Sequence, residues 1–414
     1  MNFKNLLFTS TLLIMCLTTV YSQQEEKKFG ITLGGFVKTD VFYDTRQTVN
    51  AREGHFCFFP ENVNEDPYGN DINATPNFNI LSIQSRITGR ITGPDVFGAK
   101  TSGLIEGEFF GTANGDVNGF RLRHAFVKLN WEKAELLAGH FWHPLFVASA
   151  FPEVLSFNTG VPFQPFSRNP QLRYTYKAGG LNLIVTAYTL REFAAAGPGT
   201  ASTIQRNAGM PNANFTMTYV PTESKNIFGL GVDYKTLMPE MVTVLGYKTN
   251  TTLSSLSATV FGKVVINKIT WKVQGLYAQN AFDIFGIGGY AQKAGTLDAT
   301  TGKVEYTNIN TGSAWTELYY TGNKYIAGIF AGYTMNMGSS DEMATKYARG
   351  ANIAYVYRVA PRFALVQGKT TIGLEIEYTT AAYAAAADID TYGKFTDSED
   401  VSNVRALVSF IYKF

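Results

Sequence analysis

The chain has 414 residues, of which 45% are hydrophobic, 14% aromatic and only 16% charged. This charged fraction lies well below the roughly 25% of soluble domains, whereas a mean hydropathy of −0.05 is too low for a set of membrane helices. A formal net charge of +2 gives no sign of a nucleic-acid surface. An aromatic-rich chain that is not hydrophobic on average is typical of strands in which lipid-facing and water-facing residues alternate.

Residues 1–22 have the pattern of a secretory signal peptide. Lys4 supplies a positive charge, residues 6–20 form an apolar stretch, and a small residue precedes the predicted cleavage site. The apolar stretch is interrupted by Thr and Ser and is shorter than the roughly 20 residues of a membrane-anchoring helix. We therefore expect an exported protein whose mature part covers residues 23–414.

The first predicted strand covers residues 29–45. Its apolar side chains alternate with Lys38 and Asp40, so one face is apolar and the other carries charge. The strand is longer than the roughly 5–6 residues common in globular sheets and reaches the roughly 9–11 that cross a bilayer. We expect Lys38 and Asp40 to face water inside a barrel.

A polar loop is predicted for residues 46–77. It carries His55 and Cys57, and two possible ligands without partners are weak grounds for a metal site. Because Cys16 lies in the predicted signal peptide, Cys57 would be the only cysteine of the mature chain, and no intramolecular disulfide is expected. We interpret this segment as an extracellular loop.

Three further strands are predicted at residues 78–93, 102–113 and 120–131. In the first, Leu81 and Ile83 share an apolar face with two later isoleucines. The alternation changes phase within the third strand, which predicts a β-bulge or a covered outer face. The charged residues on the polar faces of these strands are Arg86, Arg90, Glu106, Glu108, Arg121 and Arg123.

The pattern changes after residue 136. A strand to about Trp142 leads into a Pro- and Phe-rich loop, residues 143–168, which is too long to be an ordinary connection. Its many apolar side chains favour packing against another surface, most simply the barrel interior. Arg168 and Arg173 flank its exit. We expect this loop to fold inward and to narrow a pore.

The remaining chain alternates long strands with short and long connections, which is typical of periplasmic turns and extracellular loops. A strand is predicted at residues 242–249 and a turn at 360–363, and the total is close to sixteen strands. The last strand, residues 405–414, places its aromatic side chains on one face. That alternation also fits a half-buried sandwich strand, but a barrel needs such a strand to pair with the first one.

No catalytic set is recognised. His140 and His143 have a metal-like spacing but stand at a strand-to-loop junction without a converging carboxylate or cysteine, so a packing role is favoured. His124 is the only candidate base for a barrel hydrolase, and nothing marks a nucleophile. We expect no enzyme activity, no metal and no cofactor.

Charged residues on neighbouring strands are expected to converge in the lumen, the space inside the barrel. Rows of cations and carboxylates determine ion selectivity in channels, and arginine dominance favours anions. The alternative is that these charges only keep the inner wall hydrated. The predicted pore-lining residues are Lys38, Asp40, Arg86, Arg90, Glu106, Glu108, Arg121, Arg123, Arg168 and Arg173.

Residues 137–143, 152–157 and 168–174 together resemble the DcaP-type trimeric porins, as do residues 34–44 and 121–126. The start of the mature chain is similar to porin-like proteins of Bacteroidota. The resemblance implies a sixteen-stranded trimeric porin with an inward constriction loop and, for some relatives, uptake of negatively charged small molecules. Two departures are the absence of an N-terminal helical extension and the Gly139-His140 pair, where the family usually has Gly-Gln.

The sequence therefore predicts an all-β protein, a transmembrane antiparallel barrel of about sixteen strands in the outer membrane of a Gram-negative bacterium. We expect a homotrimer, surrounded by outer-membrane lipid, through which small hydrophilic anionic solutes diffuse. The alternative is a non-conducting barrel with a structural, adhesion or assembly role.

Overall fold

The computed structural model describes residues 29–193, 195–199 and 202–414. Within them, one large antiparallel β-sheet closes on itself as a barrel. The predicted signal peptide, residues 1–22, lies outside this part of the chain. No helix among the described residues is both long enough and apolar enough to cross a membrane.

The described chain contains 22 strands. Seventeen form the barrel sheet, and the others lie in its connections. In chain order they are β1 (Gly30–Asp44), β2 (Thr48–Ala51), β3 (Phe56–Pro60), β4 (Asn77–Leu81), β5 (Arg86–Thr92), β6 (Lys100–Phe109), β7 (Phe120–Asn130), β8 (Ala134–Trp142), β9 (Arg168–Ala178), β10 (Leu181–Tyr188), β11 (Asn212–Tyr219), β12 (Ile227–Leu237), β13 (Leu253–Ile266), β14 (Ile269–Gln279), β15 (Gly288–Lys293), β16 (Tyr306–Asn308), β17 (Asn310–Thr321), β18 (Tyr325–Gly338), β19 (Met343–Arg349), β20 (Ile353–Gln367), β21 (Thr370–Tyr383) and β22 (Glu399–Lys413).

The barrel wall has sixteen strand positions, because β4 and β5 are two halves of one interrupted strand and both pair with β1. Strands that follow one another along the wall pair antiparallel. The last strand, β22, pairs with β1 from Phe36↔Lys413 to Asp44↔Arg405, which closes the wall and leaves it without a free edge. The predicted closed antiparallel barrel is confirmed.

The outer surface of the wall is apolar, and β22 shows the alternation that produces it. Phe410, Tyr412 and Phe414 are about half exposed on the outside, whereas Arg405 and Ser409 are buried on the inside. This is the arrangement predicted for the C-terminal strand. A strand whose apolar side faces outward and whose polar side is enclosed fits a lipid environment and not a soluble sandwich.

Aromatic side chains gather near both ends of the outer surface. On β18, Tyr325 packs against Tyr320 and Phe363 near the short turns, and Tyr333 packs against Tyr355 near the long loops. Tyr333 follows Tyr325 by eight residue positions, which correspond to roughly 27 Å along a strand, or about 21 Å along the axis of a barrel whose strands tilt by about 40°. This separation is close to the roughly 25 Å apolar band of membrane barrels.

Connections are short at one end of the barrel and long at the other, as predicted. Asn267 and Lys268 alone join β13 to β14, and Gly368 and Lys369 alone join β20 to β21. At the opposite end the connections are long, and that between β14 and β17 contains two further strands. Wall height varies as well, because β6 to β11 have 8 to 11 residues whereas β1, β20 and β22 have 15.

The prediction of one uninterrupted strand over residues 78–93 is wrong. β4 ends at Leu81 and β5 begins at Arg86, with a turn between them. The interruption directs Leu81 and Ile83 into the barrel, where they are 8% and 3% exposed, whereas Ile87 stays on the outer face at 46%. The apolar face expected to meet lipid is therefore divided between the two sides of the wall.

Two other strand assignments are corrected. No turn occurs at residues 360–363, because Pro361 lies within β20 opposite Ile329 of β18. Proline lacks a backbone N–H, which interrupts the pairing with β21 but does not end the strand. Residues 242–249 lie in a long loop and form a single bridge, Val242↔Lys248.

The predicted bulge in β7 is confirmed. Glu106 of β6 lies opposite His124, and the next residue, Gly107, lies opposite Leu122, so Arg123 is the extra residue. A bulge residue shifts the alternation by one position. As a result Arg121, Arg123 and His124 are all buried inside the barrel, and the later apolar residues of β7 return to the outer face.

Residues 46–77 are not a plain extracellular loop, and this interpretation is wrong. They contain β2 and β3, which pair with each other as a two-stranded sheet and not with the wall. Phe56, Phe58 and Phe59 of β3 are 0–4% exposed. Their burial places the hairpin β2–β3, residues 48–60, among the structures that fill the barrel.

Candidate functional site

The inner faces of β5, β6 and β7 bring together most of the predicted charged residues. Arg86 lies opposite Glu108 across β5 and β6, and Glu108 lies opposite Arg121 across β6 and β7. Residues directly opposite on neighbouring antiparallel strands have adjacent side chains. The bulge adds Arg123 to the same group. Adjacent strands thus place cations and carboxylates within contact distance.

Glu108 is the centre of this group, which we call the ion-paired cluster. Its carboxylate lies 3.1 Å from the Arg86 guanidinium, 2.7 Å from Arg121, 2.6 Å from Arg123 and 3.9 Å from Arg168. The Glu108 side chain is fully buried. A carboxylate without access to water needs such partners, because an unpaired buried charge is strongly destabilising.

Two further glutamates complete the ion-paired cluster. Glu106 accepts a hydrogen bond from Arg123 Nε at 2.9 Å, and Glu192 accepts hydrogen bonds from Arg121 at 3.0 Å and from Arg168 Nε at 2.8 Å. Sequence reasoning missed Glu192, which follows β10 in a long connection. The only signal was an isolated acid in an apolar, Ala-rich stretch. The cluster has four arginines and three glutamates, Arg86, Arg121, Arg123, Arg168, Glu106, Glu108 and Glu192, so one positive charge is in excess.

Lys38 and Asp40 occupy the inner face of β1, as expected from its alternation. The prediction that Asp40 faces water is wrong, because the hairpin β2–β3 covers its carboxylate. The Lys38 and Asp40 side chains form an ion pair at 3.1 Å, and both are almost completely buried. Asp40 also contacts the His55 ring at 2.7 Å. Lys38 donates to the backbone carbonyl of Leu155 at 2.6 Å, so this strand contacts both the hairpin and the segment that follows β8.

Arg90 and Arg173 stand apart from the ion-paired cluster. Arg90 is exposed near the short-turn end of β5 and forms no ion pair with any described residue. Arg173 of β9 donates to the carbonyl of Trp142 at 3.0 Å and stacks on the Phe141 ring. The structure therefore does not gather the ten predicted residues into one site.

Residues 143–167, here called the inner loop, connect β8 to β9 and contact inward-facing side chains around the wall. The backbone N–H groups of Leu155 and Ser156 donate to Glu375 of β21 at 2.7 and 3.0 Å. Carbonyl groups of the inner loop accept hydrogen bonds from Gln274 of β14 and Arg358 of β20. Because these partners belong to strands far from β8 and β9, the inner loop crosses the barrel.

A cavity of about 370 Å³ lies between the inner loop and the wall formed by β1, β5 and β22. Its wall carries four cationic side chains, and Glu153 of the inner loop is its acidic residue. Phe36, Trp142 and Phe151 supply apolar surface. The cations are Lys38, Arg86, Arg123 and Lys413.

The histidines and Cys57 lie apart from any set of metal ligands. Among the described residues, no group of three or more His, Cys, Asp or Glu side chains is arranged to hold a metal ion. His143 is buried against Tyr188, and His124 packs against Phe141 and Trp142.

An aromatic cluster fills the part of the lumen nearest the long loops, and sequence reasoning missed it. Phe56 lies at its centre, and its ring lies 4.6 to 6.2 Å from rings that belong to four other connections. The signal in the sequence was Phe56-Cys57-Phe58-Phe59, an apolar run inside a loop that is otherwise polar. The rings around Phe56 are Phe110, Phe157, Phe166, Phe193 and Phe285.

No protein-family model matches the sequence, and no curated protein matches it. Solved structures match in fold. The outer membrane channel DcaP of Acinetobacter baumannii is 17% identical with a TM-score of 0.68, and 93% of this chain and 97% of that chain are covered. The fold resembles that of DcaP. The resemblance expected from the sequence is thus confirmed for the fold, whereas similarity to proteins of Bacteroidota stays a prediction.

Two other outer-membrane proteins are similar. The anion-selective porin from Comamonas acidovorans is 13% identical with a TM-score of 0.55, covering 94% of this chain and all of that chain. OmpT of Vibrio cholerae, an outer membrane protein, is 12% identical with a TM-score of 0.53 over 94% of this chain and all of that chain. One solved form of OmpT is a trimer. At these identities the likeness shows the fold alone.

Proposed function

We propose that this chain is an outer-membrane channel of the porin type through which small hydrophilic anions diffuse passively. A closed barrel with an apolar outer face, aromatic rings at both ends and charged side chains inside is suited to lipid on one side and water on the other. Export through a cleaved signal peptide, residues 1–22, belongs to this proposal.

The observation that carries the proposal is the charge of the cavity between the inner loop and the barrel wall. Lys38, Arg86, Arg123 and Lys413 line it, against one carboxylate from Glu153. Passive diffusion needs no cofactor, and the sign of charge at a narrow region determines which ions enter it. Cations on the wall lower the free energy of an anion there, so anions are the favoured solutes.

The predicted pore residues have two roles in this proposal. Arg86 and Arg90 meet solvent in the lumen, because the Arg86 side chain is 18% exposed and Arg90 is exposed. Arg121, Arg123 and Arg168 are held by carboxylates and supply positive potential from the wall. Glu106 and Glu108 orient these arginines and limit the excess charge.

We further propose a homotrimer whose contacts lie on the low wall formed by β5 to β7. A groove of about 370 Å³ on its outer face is almost wholly apolar and is lined by Ile87, Ile105, Phe120 and Leu122. Such an apolar groove on the outer face is suited to be covered by a second copy of the chain.

Ion conduction across a planar bilayer tests the function. We expect single-channel steps that arrive in threes and, under a salt gradient, a reversal potential that favours anions. The double variant Arg86→Ala/Arg90→Ala should reduce that preference. Glu132→Ala, in the exposed turn between β7 and β8, is the control and should leave the reversal potential unchanged. An unchanged reversal potential in the arginine variant would remove both residues from the ion path.

The second candidate function is a barrel that does not conduct and serves a structural, adhesion or assembly role. The aromatic cluster favours it, because it fills the lumen with side chains that have little contact with water. Correctly folded protein that never conducts, in native or loop-shortened form, would support this function.

A further inference from the structure

The aromatic cluster reaches from one side of the barrel wall to the other. It includes Trp315 of β17 and Phe330 of β18, and on the opposite side of the wall Trp142 of β8 packs against it. Phe166 joins Phe56 to Trp142, because its ring contacts both. The cluster is therefore an apolar layer that reaches across the lumen between β8 and β18.

The Arg349 side chain packs against the side of this layer that faces the long loops. The Arg349 guanidinium lies 5.0 Å from the Phe58 ring centre, 4.2 Å from Phe282 and 5.1 Å from Phe285. It also donates to the carbonyls of Phe282 and Gly286 at 3.1 and 2.8 Å. These contacts hold the outermost rings together where the layer meets the long loops.

A hydrated ion does not cross such a layer. Apolar constrictions in channels close by excluding water, even where the backbone leaves space. Passage past Phe56 would also require an ion to lose hydration without gaining polar contacts, which is strongly unfavourable for a charged group. The apolar layer accordingly opposes ion passage on the long-loop side of the inner loop, while the cationic cavity lies on its other side.

The hairpin β2–β3 is the less firmly attached part of this layer. Its two strands pair only with each other, so no backbone ladder ties it to the wall. Four wall residues hold it through side chains: Asp40 contacts His55, Asn79 donates to the Glu53 carbonyl, Arg358 donates to the carbonyls of Cys57 and Phe58, and Tyr383 donates to the Pro60 carbonyl. Neighbouring connections add hydrogen bonds at Cys57 and Arg52.

The inner loop is fixed at more points around the barrel. Gln274 and Arg358 donate to its carbonyl groups, and Glu375 accepts from its backbone N–H groups. Four more wall side chains hold its backbone: Lys38 of β1, Lys263 of β13 and Lys272 of β14 donate to carbonyl groups, and Glu317 of β17 accepts from the N–H of Glu153. Segments with fewer contacts to the rest of a structure open at lower free energy. Of the two segments that fill the lumen, the hairpin is the one that can leave.

We propose that the hairpin Thr48–Pro60 is a gate that closes the channel on its long-loop side and opens by moving out of the aromatic cluster. This inference rests on the proposed channel function. In the closed state Phe56 completes the apolar layer. When the hairpin leaves, Phe56, Phe58 and Phe59 leave with it, and the wall groups that contacted its His55 and Cys57, namely Asp40 and Arg358, become available to water and ions.

The hairpin can be removed with little disturbance to the barrel. Thr48 and Pro60 are cross-strand partners, so a two-residue Asn-Gly turn can replace residues 49–59. The matched control shortens the exposed tip of the same connection. There the backbones of Glu65 and Asp71 form an isolated antiparallel β-bridge. A two-residue Asn-Gly turn can therefore replace residues 66–70 without contact to the buried rings.

Ion current per inserted protein is then compared in planar bilayers. We expect the variant without residues 49–59 to carry at least tenfold more current than the native chain and the tip-shortened control to match the native chain. If the native chain already conducts as well as the hairpin-deleted variant, the gate is overturned and the channel function stands.

A point variant keeps the test open if the shortened barrel fails to assemble. Phe56→Ser places a hydroxyl in the centre of the apolar layer. Like the deletion of residues 49–59, it should increase the ion current above that of the native chain. Cys57 reports hairpin position in the native chain and in this variant, since its thiol is buried and burial raises its pKa to about 11. A thiol that is protonated and enclosed reacts slowly with a maleimide.

The two readouts separate the possible failures. Faster maleimide labelling of Cys57 together with increased current in Phe56→Ser supports the gate. Faster labelling without current in either variant means that the hairpin has moved and no ion path exists, which overturns the channel function and the gate with it. Current that rises while Cys57 stays unreactive overturns the hairpin as the moving part and leaves the channel function in place.

Discussion

The ion-paired cluster and the aromatic cluster lie side by side in one lumen but are built in different ways. The first comes from side chains that face each other on adjacent strands, with Glu108 at its centre. The second is assembled around Phe56 from connections at separate places around the barrel. Removal of one member of a charged network leaves a partner uncompensated, whereas removal of one ring leaves a cavity. Substitutions at Glu108 and at Phe56 should therefore differ in the size and in the kind of their effects on stability.

The largest effect is expected for Glu108→Ala. Because this fully buried carboxylate contacts several arginines, its loss leaves them without a counter-charge, which costs about 3–5 kcal/mol. Urea unfolding of the lipid-reconstituted barrel, followed by tryptophan fluorescence, measures the change. Glu132→Ala, on an exposed turn, should stay within about 0.5 kcal/mol. Equal stability of the two variants would contradict the central role of Glu108.

A smaller effect on unfolding is expected for Phe56→Ala. Truncating a buried Phe costs roughly 3 kcal/mol, and part of this cost falls on the hairpin and not on the barrel. Unfolding of the wall should therefore shift by less than in Glu108→Ala, while hydrogen exchange in residues 48–60 should accelerate strongly. Phe97→Ala is the control, because Phe97 is 87% exposed in a turn. Unchanged exchange in the hairpin would show that Phe56 does not hold it in place.

The smallest effect is expected for Arg86→Ala. Arg86 lies at the edge of the ion-paired cluster. When Arg86 is removed, Glu108 still contacts three other arginines. A loss of about 1–2 kcal/mol is expected from its charged hydrogen bond and its stacking on Phe36. Arg90→Ala, which removes no ion pair with a described residue, should be neutral in the same unfolding assay. A loss as large as that of Glu108→Ala would mean that the cluster depends on its edge as much as on its centre.

The barrel followed from the sequence because alternation is a local property. The phase change in residues 120–131 predicted a bulge or a covered outer face, and the structure has a bulge at Arg123. The aromatic stripe of residues 405–414 predicted the closing strand. Errors arose where a local signal has two meanings. Pro361 was interpreted as part of a turn, although proline is tolerated within a strand when only one neighbouring ladder is interrupted.

For the site, alternation placed Arg86, Glu106, Glu108 and Arg121 on one side of adjacent strands, and those residues are in contact. Their register decided which charges pair, and the sequence did not contain that register. Glu192 and Phe56 lie in connections, where no periodicity relates a residue to its partners. Only the spatial course of the loops brings them to the wall or to the centre of the lumen.

By itself, the sequence determined most strand faces, a total of about sixteen wall positions and the concentration of charge on the inner side of β5 to β7. These features depend on period-two patterns and on neighbours along the chain. Tertiary structure alone decided that Glu108 is shared by several arginines and that a hairpin from residues 46–77 enters the lumen. Such contacts join residues far apart in the chain, and packing of whole surfaces selects them, because no short segment records what its side chains will meet.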